Sequence, residues 1–303
     1  MKNLIFKLQY LLVRFISWFA CFFPLPLLMK IATPLGLMLY AFMKRPRKMA
    51  VQNLKSAFPE KNDAEIKSIT KGAFIHLAEF GIEWLKMPDM IRQPEKYFIG
   101  FKNVAKMHQE LRKGKGAMMY VSHIGSQEVM ALISGLFITK PIHGSIYAVA
   151  RPLKNPYLYE YATKIRAGMG LLSIDKSGGV RETFDRLRKD NAVVCMLIDQ
   201  RVSEGSIEVN FFGRPALTTT LPVIAALRIG SPIFYGSLRR TSDFKYEMNM
   251  DGPFPIEKTG NYKDDIHLNT QKLVERIENE IRKNPSSWLW MHNRWRVQHG
   301  PKN

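Results

Sequence analysis

Only two cysteines, Cys21 and Cys195, occur in the 303 residues, far apart in sequence. That scarcity excludes a disulfide framework and the paired spacing of a structural zinc site. It favours a reducing, cytosol-facing compartment. Acidic residues are also few. Twenty-six Asp and Glu against 45 Lys and Arg leave a net charge of +19. Such an excess calls for a negatively charged partner: nucleic acid, anionic lipid or an acidic protein. No Gly-x-Ser-x-Gly pentapeptide occurs, which removes the nucleophile elbow of a serine hydrolase. Internal repeats and low-complexity tracts are absent too. The length suits one large α/β domain or two smaller ones, with ample chain for a core.

A clean uncharged run of some 20 apolar residues is also missing. The most hydrophobic stretch, 4–23, contains Lys7 and Arg14. Asn3, Lys7, Tyr10, Arg14 and Ser17 form a narrow polar stripe at helical spacing, and the rest of that helix is Leu, Ile, Phe, Val and Trp. Pro24 and Pro26 break the helix. A second apolar stretch, 31–43, stops at the basic cluster Lys44-Arg45-Pro46-Arg47-Lys48. No small-residue cleavage site follows the first run, so a cleaved signal peptide fits poorly. Residues 1–48 therefore read as a membrane-embedded or interfacial helical anchor, with the basic cluster against anionic headgroups.

Residues 49–303 read as a single α/β domain, with a helical lead-in over 49–100 and a catalytic core over 101–303. In the lead-in, Ile66, Ile69, Ala73, Leu77, Phe80 and Trp84 line one face of a helix over 63–87, ended by Pro88. His76 and Glu79 lie in that helix and read as structural. Beyond Gly116, short apolar runs at 117–121, 146–150, 171–174, 192–198 and 232–238 alternate with helical patterns at 157–169, 179–189 and 218–228. This alternation predicts a mostly parallel central sheet flanked by helices. A last helix over 265–282 precedes Trp288-Leu289-Trp290-Met291-His292-Asn293-Arg294-Trp295-Arg296. Aromatics interleaved with arginine suit base stacking, a membrane interface or a lid on a lipid site equally well.

The chemistry is concentrated in His123-Ile124-Gly125-Ser126-Gln127-Glu128. The run 117–121 before it has the length of a buried strand. Val129, Leu132, Ile133 and Leu136 after it recur at helical spacing, with Ser126 placed as N-cap. His123 thus stands on a strand-to-helix turn with Glu128 one turn into the helix, where imidazole and carboxylate can meet. A carboxylate there would fix the tautomer of His123, leaving the other nitrogen to take a proton from a hydroxyl. His123, Arg151 and Asp199 all fall just beyond strand C-terminal ends, the edge where ligands bind in parallel sheets.

On these residues the chain resembles the acyltransferases with an HX4D/E box, the glycerolipid and lysophospholipid enzymes. It is similar in particular to the late acyltransferases of lipid A biosynthesis, the lauroyl/myristoyl transferases. Supporting stretches are Lys115-Gly116, Arg151-Pro152-Leu153-Lys154-Asn155-Pro156, Asp199-Gln200, Phe211-Phe212-Gly213-Arg214-Pro215-Ala216-Leu217-Thr218 and the Trp-Leu-Trp-x-His-x-Arg-Trp ending. Ser126-Gln127 stands where the family box commonly reads Asn-Trp, and Arg201 follows Asp199-Gln200 where acidic or Tyr-Gly residues are usual.

The resemblance implies an O-acyltransferase at the bacterial inner membrane with its site facing the cytoplasm. It would move an acyl chain from an acyl carrier protein or CoA thioester to a hydroxyl of a lipid A-type glycolipid precursor. His123 would be the base, oriented by Glu128, with no covalent acyl-enzyme and with backbone N–H groups of Gly125 and Ser126 holding the oxyanion. Arg151, Asn155, Arg166, Asp199 and Gln200 would serve substrate binding, Asp199 by orienting the arginines, and Phe211 and Phe212 would line an acyl groove. No cofactor, metal or nucleic acid is implied. Arg181, Arg186, Arg188 and Lys189 offer a basic helix for an acidic carrier protein. Two alternatives stand beside this reading: a lysophospholipid or other glycolipid acyltransferase, and a membrane-tethered nucleic-acid binder. The binder accounts for the charge and the aromatic ending but gives no reason for His-x4-Glu.

Overall fold

The computed structural model describes residues 2–139, 144–150, 153–175, 179–202 and 204–295. Four helices lead: α1 (Lys2–Ala20), α2 (Leu25–Phe42), α3 (Lys44–Ala57) and α4 (Asp63–Arg92). Strand β1 (Phe98–Lys102), helix α5 (Val104–Leu111), β2 (Ala117–Val121) and α6 (Gln127–Ser134) follow. Next come β3 (Ile146–Ala150), α7 (Pro156–Ala167), β4 (Leu171–Asp175), α8 (Gly179–Lys189) and β5 (Val193–Leu197). The last part holds a hairpin of β6 (Ser206–Phe211) and β7 (Arg214–Thr219), then α9 (Leu221–Ile229), β8 (Ile233–Arg240), β9 (Tyr246–Asp251) and α10 (Tyr262–Lys283).

Seven strands form one sheet in the order β1-β9-β8-β2-β5-β3-β4. Every pairing in it is parallel except β8 with β9. β2 lies at the centre and is buried along its whole length. Its alternate residues enter different apolar clusters, Met118 and Tyr120 one, Ala117, Met119 and Val121 the other. Both faces are therefore covered, which explains why the strand reads as an unbroken apolar run. Gly116 opens β2 with φ +58°, and a Cβ there would lie 2.7 Å from the Ala192 carbonyl. Only glycine lets the chain pass so close to the end of α8.

Three expectations are corrected. α4 runs through Pro88 to Arg92, because Lys86 pairs with Asp89 at 2.7 Å and Met87 and Met90 are buried, so packing on both sides outweighs the missing N–H. The helix expected from 218 starts at Leu221, since residues 214–219 pair with β6. On α8, Arg186 pairs with Glu182 and Asp190, and Lys189 with Asp185. Arg181 and Arg188 carry the net positive charge of that helix, a much weaker field than four free cations give.

The N-terminal pair of helices is inside out. Fifteen of the 20 large apolar side chains exposed on the described protein lie between Leu4 and Phe42. The polar stripe of α1 faces the protein instead. Ser17 Oγ donates to the Leu85 carbonyl at 2.7 Å, Tyr10 packs on Tyr157 and Tyr161, and Asn155 donates to the Phe6 carbonyl at 2.9 Å. α2 buries Leu25, Met29 and Ala32 against the domain while Leu27, Ile31, Leu37 and Phe42 point outward. Among the described residues, α2 is the one helix long and apolar enough to cross a membrane.

Candidate active site

β2 and β5 are parallel neighbours, and Val121 pairs with Leu197. Two residues further on, each chain leaves the sheet, so His123 and Asp199 arrive side by side. His123 Nδ1 meets Asp199 Oδ1 at 2.8 Å, and the His123 backbone N–H donates to Oδ2 at 2.6 Å. Trp288 Nε1 donates to the same Oδ2 at 2.7 Å. The Asp199 side chain is completely buried. Burial alone would raise its pKa, but the His123 imidazole and the three N–H donors together hold it below the usual carboxylate range. Asp199 is therefore an acceptor only, and Nδ1 of His123 carries a proton. On the other side of the ring the Gln200 amide, Nε2, donates to His123 Nε2 at 2.9 Å. Both contacts specify one tautomer, with the Nε2 lone pair turned towards the Gln200 amide.

The turn after His123 is built to aim it. Gly125 has φ +72°, a conformation that disfavours any side chain, and Ile124 bridges to Trp288. Ser126 caps α6 through its hydroxyl, 3.5 Å from the Val129 N–H. Glu128 follows in the first turn but does not reach the imidazole. Its carboxylate is gripped by Arg166 of α7 in a two-point pair, Nε to Oε2 at 2.9 Å and Nη2 to Oε1. Both side chains are mostly buried, and the pair ties α6 to α7 beside the site. The carboxylate hydrogen-bonded to the imidazole is thus Asp199 and not Glu128. The helix start carries Glu128 towards α7, while Nδ1 of His123 faces β5.

The other expected residues fall as follows. Asn155 caps α7, accepting from the Tyr157 and Leu158 N–H groups, and ties α1 down. Phe211 and Phe212 are buried in an aromatic cluster with Trp288, Trp290 and Trp295, and neither lines the cavities beside His123. Arg151 lies outside the described residues. Among the described residues, no group of three or more His, Cys, Asp or Glu is placed to hold a metal ion.

Three spaces adjoin the turn. An apolar pocket of about 250 Å³ is walled by Ala73, Leu77 and Phe80 of α4 together with Leu197 and Trp288, and contains His123 and Glu128. A void of about 90 Å³ continues from Gln127, Glu128 and Leu197 to Met119, Ala148 and Cys195 under the sheet. A polar cleft of about 650 Å³ opens on the far side of Gly125 and Ser126. His76 of α4 stands in the wall of both the first pocket and the cleft. Sequence reasoning left His76 and Trp288 out of the site. Helical spacing put His76 on the border of an apolar face, which was the available signal.

Chemically, the arrangement is a buried carboxylate, an imidazole held in one tautomer, and a small oriented helix start facing an apolar pocket. It can take a proton from a hydroxyl brought to Nε2 while backbone N–H groups meet a developing negative charge.

A family model of bacterial lipid A biosynthesis acyltransferases matches residues 2–297 of the chain. A phosphatidylinositol mannoside acyltransferase of Mycobacterium tuberculosis is 26% identical over 194 residues, 61% of this chain and 56% of its own length. The chain thus matches little more than half the length of that curated relative. The lipid A biosynthesis palmitoleoyltransferase of Escherichia coli is 23% identical over 289 residues, covering 93% of this chain and 89% of that protein. The lipid A biosynthesis lauroyltransferase of the same organism is 24% identical over 291 residues, covering 93% and 90%.

Proposed function

The chain belongs to the bacterial lipid A biosynthesis acyltransferase family, and on that premise we propose that it transfers a fatty acyl chain from a thioester to a hydroxyl of a membrane glycolipid. The observation that carries the reading is the tautomer of His123, fixed by Asp199 on one nitrogen and Gln200 on the other. The acceptor hydroxyl displaces the Gln200 amide at Nε2 and gives its proton to that nitrogen as its oxygen attacks the thioester carbon. Asp199 stabilises the imidazolium that forms. The oxyanion of the tetrahedral intermediate is met by the backbone N–H groups of Gly125 and Ser126 at the start of α6. When the C–S bond breaks, the thiolate leaves with the proton that His123 returns. No acyl-enzyme is formed. A base so placed contributes about 10²–10⁴-fold.

The apolar pocket and the void beneath Glu128 supply an acyl groove in place of the one expected at Phe211 and Phe212. Glu128 and Arg166 brace the start of α6. Residues 1–48 act as the anchor and 49–303 as the acyltransferase domain, at the inner membrane with the site facing the cytoplasm. The outward apolar face of α1 and α2 supports that assignment, because it would otherwise stand in water. An acidic acyl carrier protein is the proposed donor, favoured by the net charge of +19.

The test uses the full chain in detergent with lauroyl-acyl carrier protein or lauroyl-CoA. The acceptors are a tetraacylated, bisphosphorylated glucosamine disaccharide and a mannosylated phosphatidylinositol, with products read by mass spectrometry. Gain of one lauroyl group with the native chain, and none with His123→Ala, is expected. Transfer to neither acceptor, or undiminished transfer by His123→Ala, overturns the reading.

A further inference from the structure

His76 marks the seam between the apolar pocket that contains His123 and the polar cleft. Its Nδ1 lies 3.3 Å from Glu79 Oε2, and Arg240 grips Glu79 Oε1 at 2.6 Å. Burial would raise the Glu79 pKa, but the hydrogen bond from His76 and the Arg240 guanidinium hold it below the usual range. Glu79 is thus an acceptor, Nδ1 of His76 donates to it, and Nε2 is the ring atom left for a ligand. A second imidazole, held by its own carboxylate, therefore stands across the pocket from the first.

The cleft behind His76 is polar but electrically balanced. Lys102 and Arg239 share Glu247, Lys283 pairs with Glu280, and Arg240 holds Glu83 as well as Glu79. Four cations against four carboxylates leave the cleft lining without net charge. They leave fixed donors and acceptors in both senses, which is what a ligand rich in hydroxyl groups uses. Glu83, 2% exposed, accepts from Tyr246 and Arg240 through Oε1, while its Oε2 is buried with no partner. An unmatched buried carboxylate oxygen at the cleft wall is an acceptor without its donor.

We infer that the polar cleft holds the carbohydrate headgroup of the acceptor lipid, and that His76 Nε2 accepts a hydrogen bond from one of its hydroxyls, fixing which neighbouring hydroxyl stands at His123. This rests on the acyl-transfer reading for its chemistry, but the binding claim can be tested without turnover. The acyl chain of the donor lies in the apolar pocket, the sugar in the cleft, and the Gly125–Ser126 helix start sits where the two meet.

The binding experiment is saturation-transfer NMR on the full chain with N,N′-diacetylchitobiose, a neutral soluble disaccharide, and separately with 4′-phosphopantetheine. The disaccharide is expected to bind the native chain, and His76→Ala and Glu79→Gln each to weaken it about tenfold, the worth of one hydrogen bond in a largely dry site. His76→Gln, which keeps a polar amide near the position of Nε2, should restore most of the loss. Phosphopantetheine binding should be unchanged in all three. In turnover, His76→Ala should raise the Michaelis constant for acceptor about tenfold, leave that for the thioester unchanged, and spread the acyl group over more than one hydroxyl. Failure of the disaccharide to bind the native chain, equal binding by His76→Ala, or displacement of the disaccharide by phosphopantetheine overturns the inference. If His76→Ala does not fold, the Gln variant and the displacement experiment still decide it. Disaccharide binding as described without any acyl transfer keeps the cleft assignment and rejects the transfer reading.

Discussion

Asp199→Asn is the substitution that separates the orienting carboxylate from its neighbours. Asp199 receives three N–H donors: His123 Nδ1 on Oδ1, and the His123 backbone and Trp288 Nε1 on Oδ2. An asparagine has one oxygen to offer. Placed at Oδ2 it keeps two of the three donors, and its amide N–H₂ then points at Nδ1 of His123. That nitrogen must become an acceptor, so the ring proton moves to Nε2, the atom that has to receive the acceptor hydroxyl's proton. The shape of the site survives and the proposed base is lost. Wrong-tautomer variants of this kind in hydrolases with a His–Asp pair lose about 10⁴-fold, so a fall in kcat of about 10³–10⁴, or about 4–5.5 kcal/mol on the barrier, is expected. The assay pairs initial rates of thioester consumption with ¹⁵N NMR of the imidazole, which reads the protonated nitrogen directly. Turnover within tenfold of the native chain, or an unchanged tautomer, would refute the reasoning.

Glu128→Gln should act differently, because it weakens the tie between α6 and α7 and leaves Arg166 without its counter-charge. A lower melting temperature, a loss of about 1–3 kcal/mol and an unchanged His123 tautomer are expected, with denaturation and ¹⁵N NMR as the checks. Replacing Leu8, Leu12, Phe15, Phe19 and Phe22 by Gln should release the protein from vesicles while leaving its melting temperature intact, since these side chains are outward-facing or half exposed; continued sedimentation with vesicles would place the anchor elsewhere. Deleting residues 1–43 is a poorer probe, because α2 supplies Leu25, Met29 and Ala32 to the core. The pKa of Asp199 is lower folded than its unfolded value near 3.9. The stability it contributes is therefore full above about pH 4 and is lost as pH falls through the folded value. Urea midpoints should drop less between pH 5 and about pH 3 in Asp199→Asn than in the native chain.

Much of the fold was legible because the central strands are buried on both faces and so appear as apolar runs of about five residues. The boundaries of β2, β3 and α8 match the sequence reading. The edges were not legible. β1 has Gly100 in its middle and is half exposed, so no periodic signal marks it. β9 alternates cleanly, Tyr246, Met248 and Met250 inward, but its outward Glu247, Asn249 and Asp251 give it the composition of a loop. The β6–β7 hairpin drew no strand reading, because Pro215, Ala216 and Leu217 do not advertise a strand.

The site divides along the same physical line. Everything local to the turn was readable: the strand, the glycine, the Ser126 cap and the His on the corner depend on neighbours in sequence. The partner of His123 was not, because a search confined to the next helix turn finds Glu128, whereas the sheet brings in a carboxylate 76 residues away. Placing β5 beside β2 is a property of strand order, and strand order leaves no mark on either strand. Asp199 had been noticed for its position at a strand end, but a position names an edge and not a neighbour. The same holds for His76, whose helix is legible residue by residue while the cavity it faces exists only after α4 packs across the sheet. The α1 stripe shows the opposite case. Five polar residues on an apolar helix already say which face is the exception, and in this protein the exception is the packing face, since Ser17 and Tyr10 meet the domain and the leucines do not. The apolar face that such a helix leaves outward is what the proposed membrane anchor would cover, so its composition supports that proposal more than its length does.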